Sequence, residues 1–158
     1  MPDVAMSADF ATIDITPWTG ETPDEVLAAG AGDYSVAEAR AIVQRFAEVS
    51  TSCDIDAFTQ GFTEDCVISF NEHANITGHA GLRALMAPRF ARFTAPGTKY
   101  LCRKVLRSLT SSTFGVIWIN HWIDPETHKT MRSKGVEFWA MRKGRIARWD
   151  AAIVAWPA

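Results

Sequence analysis

The stretch Met131 to Val154, MRSKGVEFWAMRKGRIARWDAAIV, constrains the fold more than any other part of the chain. Two apolar-rich runs flank Arg142-Lys143-Gly144-Arg145. This reads as a β-hairpin with Lys143-Gly144 as a two-residue turn, Gly144 supplying the positive φ. A regular antiparallel ladder built from that turn pairs Arg142 with Arg145, Met141 with Ile146, Trp139 with Arg148 and Glu137 with Asp150. Successive side chains of a strand point to opposite faces. Glu137, Trp139 and Met141 then share a face with Ile146, Arg148, Asp150 and Ala152. Val136, Phe138, Trp149, Ala151 and Ile153 share the other. The first face would carry two carboxylates, a guanidinium and an indole, the makings of a pocket. Two carboxylates across one rung would share a proton or hold a cation.

The rest of the chain supplies what the hairpin packs against. Ser35-Val36-Ala37-Glu38 is a capping box. Behind it Ala39, Ile42, Val43, Phe46 and Val49 recur at helical spacing, predicting a helix from about Val36 to Ser50. Asp54 caps a short second helix, Ile55 to Gly61. Thr63-Glu64-Asp65 reads as a turn, Cys66 to Phe70 as a strand, and Asn71 to Thr77 as a polar connection. Thr77 or Gly78 opens a third helix with Leu82, Leu85, Met86, Phe90 and Phe93 inward; Pro88 kinks or divides it. Long strands are predicted over Lys99–Leu109, Thr113–Ile123, from Thr130 onward, and over Arg145–Ala155. Helices followed by an antiparallel meander give an α+β fold with helices on one face of the sheet.

At 158 residues the chain is sized for one domain. Residues 1–34 show no sustained period and read as a partly ordered arm on a body of residues 35–158, with Ile13, Ile15 and Trp18 able to dock. Seven of the 18 acids and none of the 16 basic residues fall in residues 1–33. The net charge of −2 leaves no footprint for nucleic acid. The longest apolar runs are too short to cross a bilayer. The three cysteines, Cys53, Cys66 and Cys102, show no CxxC spacing, which favours a reducing, cytoplasmic setting over a disulfide framework. His73 and His79 have no third ligand spaced to join them, so no metal is expected. Without a GxGxxG or phosphate-binding loop, no cofactor is expected either.

Strand Thr113–Ile123 is apolar on both faces: Phe114, Val116, Trp118 and Trp122 on one, Ile117, Ile119 and Ile123 on the other. Helices can hide only one of them. A homodimer through the face bearing Ile117, Ile119, Phe138 and Trp149 is the expected cover, with the N-terminal arm as the alternative.

The element order, with Phe62-x-x-Asp65-Cys66-Val67 after the second helix and Gly144-Arg145-Ile146-Ala147-Arg148-Trp149-Asp150 near the end, resembles the nuclear transport factor 2-like superfamily. That superfamily includes ketosteroid isomerase, scytalone dehydratase, limonene epoxide hydrolase and the SnoaL-like polyketide cyclases. The resemblance covers about residues 36–156. It implies a curved antiparallel sheet wrapped as a cone around three N-terminal helices, with a ligand cavity between them. In the cyclases the Asp matching Asp150 is the acid/base residue. The cyclase histidine on the preceding strand has no counterpart; Glu137 and Trp139 stand there. Helix one lacks the isomerase tyrosine. The epoxide hydrolase Arg between two Asp is matched only by Arg148 and Asp150, with Glu137 as the remaining substitute.

The candidate catalytic residues are therefore Asp150 as base, Glu137 as its partner, and Asn120 or His121 as partner to a substrate oxygen. If Ile123 pairs with Thr130, Asn120 enters the pocket; another register admits His121. Trp118, Trp122, Trp139, Arg148, Asn71 and His73 complete the expected pocket. The implied activity is cofactor-free proton transfer on a small hydrophobic carbonyl or hydroxyl compound, as an isomerase, dehydratase or cyclase. The alternatives are a non-catalytic binding or accessory protein, epoxide hydrolase-like chemistry, and an assembly module whose cavity has collapsed on its aromatic side chains.

Overall fold

The computed structural model describes residues 22–157. Four helices, α1 (Asp24–Gly30), α2 (Val36–Ser52), α3 (Ile55–Gln60) and α4 (Gly78–Phe93), pack on one curved, unclosed sheet. Its strands are β1 (Phe62–Phe70), β2 (His73–Thr77), β3 (Tyr100–Thr110), β4 (Thr113–Ile123), β5 (Thr130–Arg142) and β6 (Arg145–Pro157), in the order β2-β1-β6-β5-β4-β3. All neighbours are antiparallel except β1 and β6, which run parallel. The fold is the expected α+β cone.

Local chemistry sets the element ends. Ser35 Oγ accepts from the Glu38 N–H at 3.3 Å while the Ser35 N–H donates to Glu38 Oε2 at 2.8 Å, closing the capping box of α2. Asp54 accepts from the backbone of Asp56 and Ala57 and starts α3. Lys143 and Gly144 have φ of 51° and 76°, both positive as a type I′ turn requires.

Three local expectations change. Thr63-Glu64-Asp65 is not a turn; it lies within β1, where Asp65 faces outward and pairs with Arg142. The polar connection Asn71–Thr77 contains β2, an edge strand with mostly exposed side chains that carries no apolar alternation. Asn71 and Glu72 form the turn before it, Asn71 at a φ of 50° that asparagine tolerates. Finally, part of the expected arm is helical: α1 buries Leu27 in the core, at 1% exposure, and packs on β3. One buried leucine in seven residues gives too little period to read. The docking expected of Ile13, Ile15 and Trp18 lies outside the described residues.

The hairpin holds the decisive departure. Met141 pairs with Ile146 as expected, but Ala140 pairs with Arg148. Ala147 is thus an extra residue, a β-bulge, and every later residue of β6 changes face. Trp149 turns inward opposite Trp139, and Asp150 turns outward opposite Phe138. Glu137 stands across from Ala151, not Asp150.

The inward Trp149 completes an aromatic cluster. Phe58 lies 5.2 Å from Phe46, 5.4 Å from Phe62 and 5.2 Å from Phe90, ring centre to ring centre. Trp149 meets Phe62 at 5.6 Å, and Trp139 meets Phe46 at 5.0 Å. Mostly edge-on and tilted, these rings close one end of the space between helices and sheet.

Candidate functional site

Above that cluster lies a cavity of about 370 Å³. Its walls are rows of the sheet's inner face. Tyr100, Trp122 and Met131 form one row of cross-strand partners, and Cys102, Asn120 and Ser133 the next. Lys104 and Trp118 follow, with Glu137 two residues further along β5 than their partner Gly135. From α3 and α4 come Phe58, Met86, Arg89, Phe90, Arg92 and Phe93. Phe93 stacks on Tyr100 with ring centres 4.1 Å apart.

The cavity wall holds an ion pair withdrawn from water. Lys104 Nζ donates to Glu137 Oε1, with the two side chains 5% and 2% exposed. The Trp139 indole N–H donates to Glu137 Oε2. The ammonium also lies 4.8 Å from the Trp118 ring centre and 5.7 Å from that of Trp139, within cation–π range. A buried charge is tolerated only when paired and hydrogen-bonded, and here each partner meets that condition through the other. Trp118 can lie flat because position 135 is glycine: a Cβ there would come within 2.4 Å of its ring.

Next to the pair sit two polar atoms that no described residue satisfies. Asn120 Oδ1 and Ser133 Oγ are buried, face the cavity from directly opposed strand positions, and have no hydrogen-bond partner among the described residues. Such orphans are rare in native folds and call for a missing partner. Burial pushes the Tyr100 hydroxyl well above its ordinary pKa, with the nearby Cys102 adding to the effect. It raises the Cys102 thiol as well. Both are therefore neutral groups at physiological pH.

The mouth is charged. Arg92, half-exposed, pairs with Asp124 at 2.5 Å. Asp124 also accepts from the backbone N–H groups of Thr127 and Glu126, and these bonds, led by the one from Thr127, pull its pKa down to about 2. The β4–β5 loop is thereby tied to α4 above the opening.

The sequence-based candidates divide as follows. Glu137, Asn120, Trp118, Trp122 and Asn71 line the cavity. Ile123 does pair with Thr130, the register that admits Asn120. Trp139 is fully buried behind Glu137 and holds it. Asn71 sits at the rim with its Oδ1 accepting from the Ile153 N–H at 2.9 Å. Asp150 and Arg148 are corrected: the Ala147 bulge puts them on the outer face, where Arg148 clasps Asp150 at 2.7 and 3.0 Å. His121 likewise faces outward in a row with Arg132 and Trp156, and burial followed by the Arg132 charge lowers its pKa. His73 is exposed beside Glu72. Arg148 and Asp150 therefore cannot join Glu137 in an epoxide hydrolase triad. Lys104, Ser133 and Arg89 were missed. Parity along β3, where Tyr100, Cys102, Lys104 and Leu106 share a face, could have found Lys104.

The chain belongs to the SnoaL-like family, whose domain model matches residues 43–149. It shares its fold with solved structures. One is a polyketide cyclase candidate from Xanthomonas campestris pv. campestris, with a TM-score of 0.61 at 19% identity, over 73% of this chain and 90% of that one. Another is SalBIII, an epoxide hydrolase/cyclase-like enzyme of salinomycin pyran ring formation, at 0.60 and 15%, over 73% and 94%. A third is an LEH-like epoxide hydrolase of M. tuberculosis, at 0.56 and 16%, over 75% and 84%. No curated protein matches the sequence. No helix among the described residues is long and apolar enough to cross a membrane.

Proposed function

We propose that the cavity performs cofactor-free proton transfer on a small, largely apolar carbonyl or hydroxyl compound, with Glu137 as the proton carrier. The supporting observation is the juxtaposition of a buried Lys104–Glu137 pair with two polar atoms unpartnered among the described residues, beside an aromatic wall. The Ser133 hydroxyl would donate to a substrate carbonyl oxygen, and Asn120 Oδ1, an acceptor, would take a bond from a substrate hydroxyl. Glu137, whose carboxylate can accept more than the two bonds it already receives, takes a proton from the carbon beside the carbonyl. The negative charge moves to the oxygen, where the Lys104 ammonium stabilises it. Glu137 then returns the proton at the same carbon, a net exchange, or at another carbon, completing an isomerisation, or a leaving hydroxyl takes it and departs as water, completing a dehydration. Burial of Lys104 and Glu137 makes their electrostatic contacts stronger than they would be in solution.

The test is deuterium incorporation from D2O beside the carbonyl of a panel of cyclic and aryl ketones, followed by NMR. The rate should exceed the buffer rate and fall ~10²–10⁴-fold in Glu137→Gln. An unchanged rate in that variant would remove Glu137 from the chemistry. A silent panel of ketones that nevertheless bind would leave a binding protein in place of an enzyme.

The quaternary part of the proposal is a homodimer through the outer sheet face. Val136, Phe138 and Val154 stand there 55%, 51% and 64% exposed. Trp149, first assigned to that face, is not part of it. Sedimentation velocity should show a dimer at micromolar concentration, and a monomer would end this part of the reading. A reducing, cytoplasmic setting fits the free thiols of Cys53, Cys66 and Cys102.

A further inference from the structure

The charge balance of the cavity points to its ligand's class. Five charged side chains line it: Arg89, Arg92, Lys104, Asp124 and Glu137. Lys104 is matched by Glu137 and Arg92 by Asp124. Arg89 has no acidic partner among the described residues. Its guanidinium carbon sits 5.0 Å from the centre of the Phe70 ring, and Nη1 donates to the Leu85 carbonyl. One face and one nitrogen are thus fixed, and most of its five N–H donors remain for another acceptor.

Building on the proton-transfer reading, we propose that the natural ligand is an amphipathic monoanion, a carboxylic acid with an apolar body. Arg89 takes its carboxylate at the rim. The apolar body lies along Phe90 and Trp122, and at its far end a carbonyl oxygen accepts from the Ser133 hydroxyl or a hydroxyl donates to Asn120 Oδ1. A guanidinium fork suits a carboxylate held by two parallel bonds. The charge count favours it over a phosphomonoester, because one unmatched positive charge balances a carboxylate, whereas a phosphate carries nearly two negative charges at neutral pH. Arg89 is then a specificity residue, setting which molecules enter without touching the reacting carbon.

The experiment is displacement of the neutral dye N-phenyl-1-naphthylamine by decanoate and by decan-1-ol, which share an apolar chain. Wild-type protein should bind decanoate about ten-fold or more tightly than decan-1-ol, the scale of one charge-assisted contact. Arg89→Ala should abolish the preference by weakening only decanoate, and Arg89→Lys should restore part of it. Equal affinities in the wild type, or a preference that survives Arg89→Ala, would overturn the proposal while leaving the cavity reading intact. Failure of the dye and both ligands to bind would overturn both.

Discussion

Replacing Lys104 by methionine is expected to destabilise the fold by about 3–5 kcal/mol, the usual cost of removing one member of a buried ion pair. Methionine keeps most of the volume, so packing is not the cause. The cause is Glu137, left 2% exposed with the Trp139 indole as its remaining donor. Pairing the change with Glu137→Leu should recover most of the loss, because an apolar pair of similar volume often matches or exceeds a buried ion pair in stability. Urea unfolding of the two single variants and the double variant measures this directly. A Lys104→Met variant within about 0.5 kcal/mol of wild type, the scale of an ordinary surface change, would mean that water reaches the pair after all. The same cycle separates stability from chemistry: the double variant should fold well and transfer no protons.

Replacing Trp149 by alanine is expected to cost about as much. Truncating a buried tryptophan costs about 3–5 kcal/mol, and this ring packs against Phe58, Phe62 and Phe70. Deleting Ala147, by contrast, should keep the ring in place. The bulge holds one extra residue, so its removal leaves Arg148 opposite Ala140 and Trp149 opposite Trp139, as in the intact chain. Near-UV circular dichroism and urea unfolding report both variants. A Trp149→Ala variant within about 0.5 kcal/mol of wild type would show that the ring does not hold the core together. A deletion variant without the native aromatic spectrum would show that Ala147 does more than fill the bulge.

The same residue explains where the sequence could and could not be read. Strand β4 was found end to end, because Ser111-Ser112 and Asp124-Pro125 mark its limits and its apolar run is long. The β4–β5 loop admits two registers, one placing Asn120 in the cavity and the other His121; the pairing of Ile123 with Thr130 is the first of them. The hairpin turn was legible from Lys143-Gly144. The bulge was not: alanine suits either face, and no glycine or proline marks position 147. An argument from alternation passes through one unmarked residue and emerges on the wrong side. Asp150 was chosen by that argument and by resemblance, and both depend on the face it occupies. Lys104 was overlooked for a different reason. A lysine in a strand suggests solvent, and only its match to Glu137, 33 residues away and on a strand not adjacent to its own, makes an inward position stable. Pairings of that kind are products of the fold and have no local signature.

Gly135 has a bearing on how this scaffold can diversify. It is a subtraction: the space its missing side chain leaves is filled by the Trp118 ring, which in turn forms part of the cavity wall and the surface beneath the Lys104 ammonium. Any larger residue there would lift the indole toward the cavity and move the ammonium with it. Cavity width and the setting of the Lys104–Glu137 pair are therefore coupled through one buried backbone position. Selection for a wider or narrower cavity could proceed on the ring facing Gly135, but it would shift the Lys104–Glu137 ion pair at the same stroke.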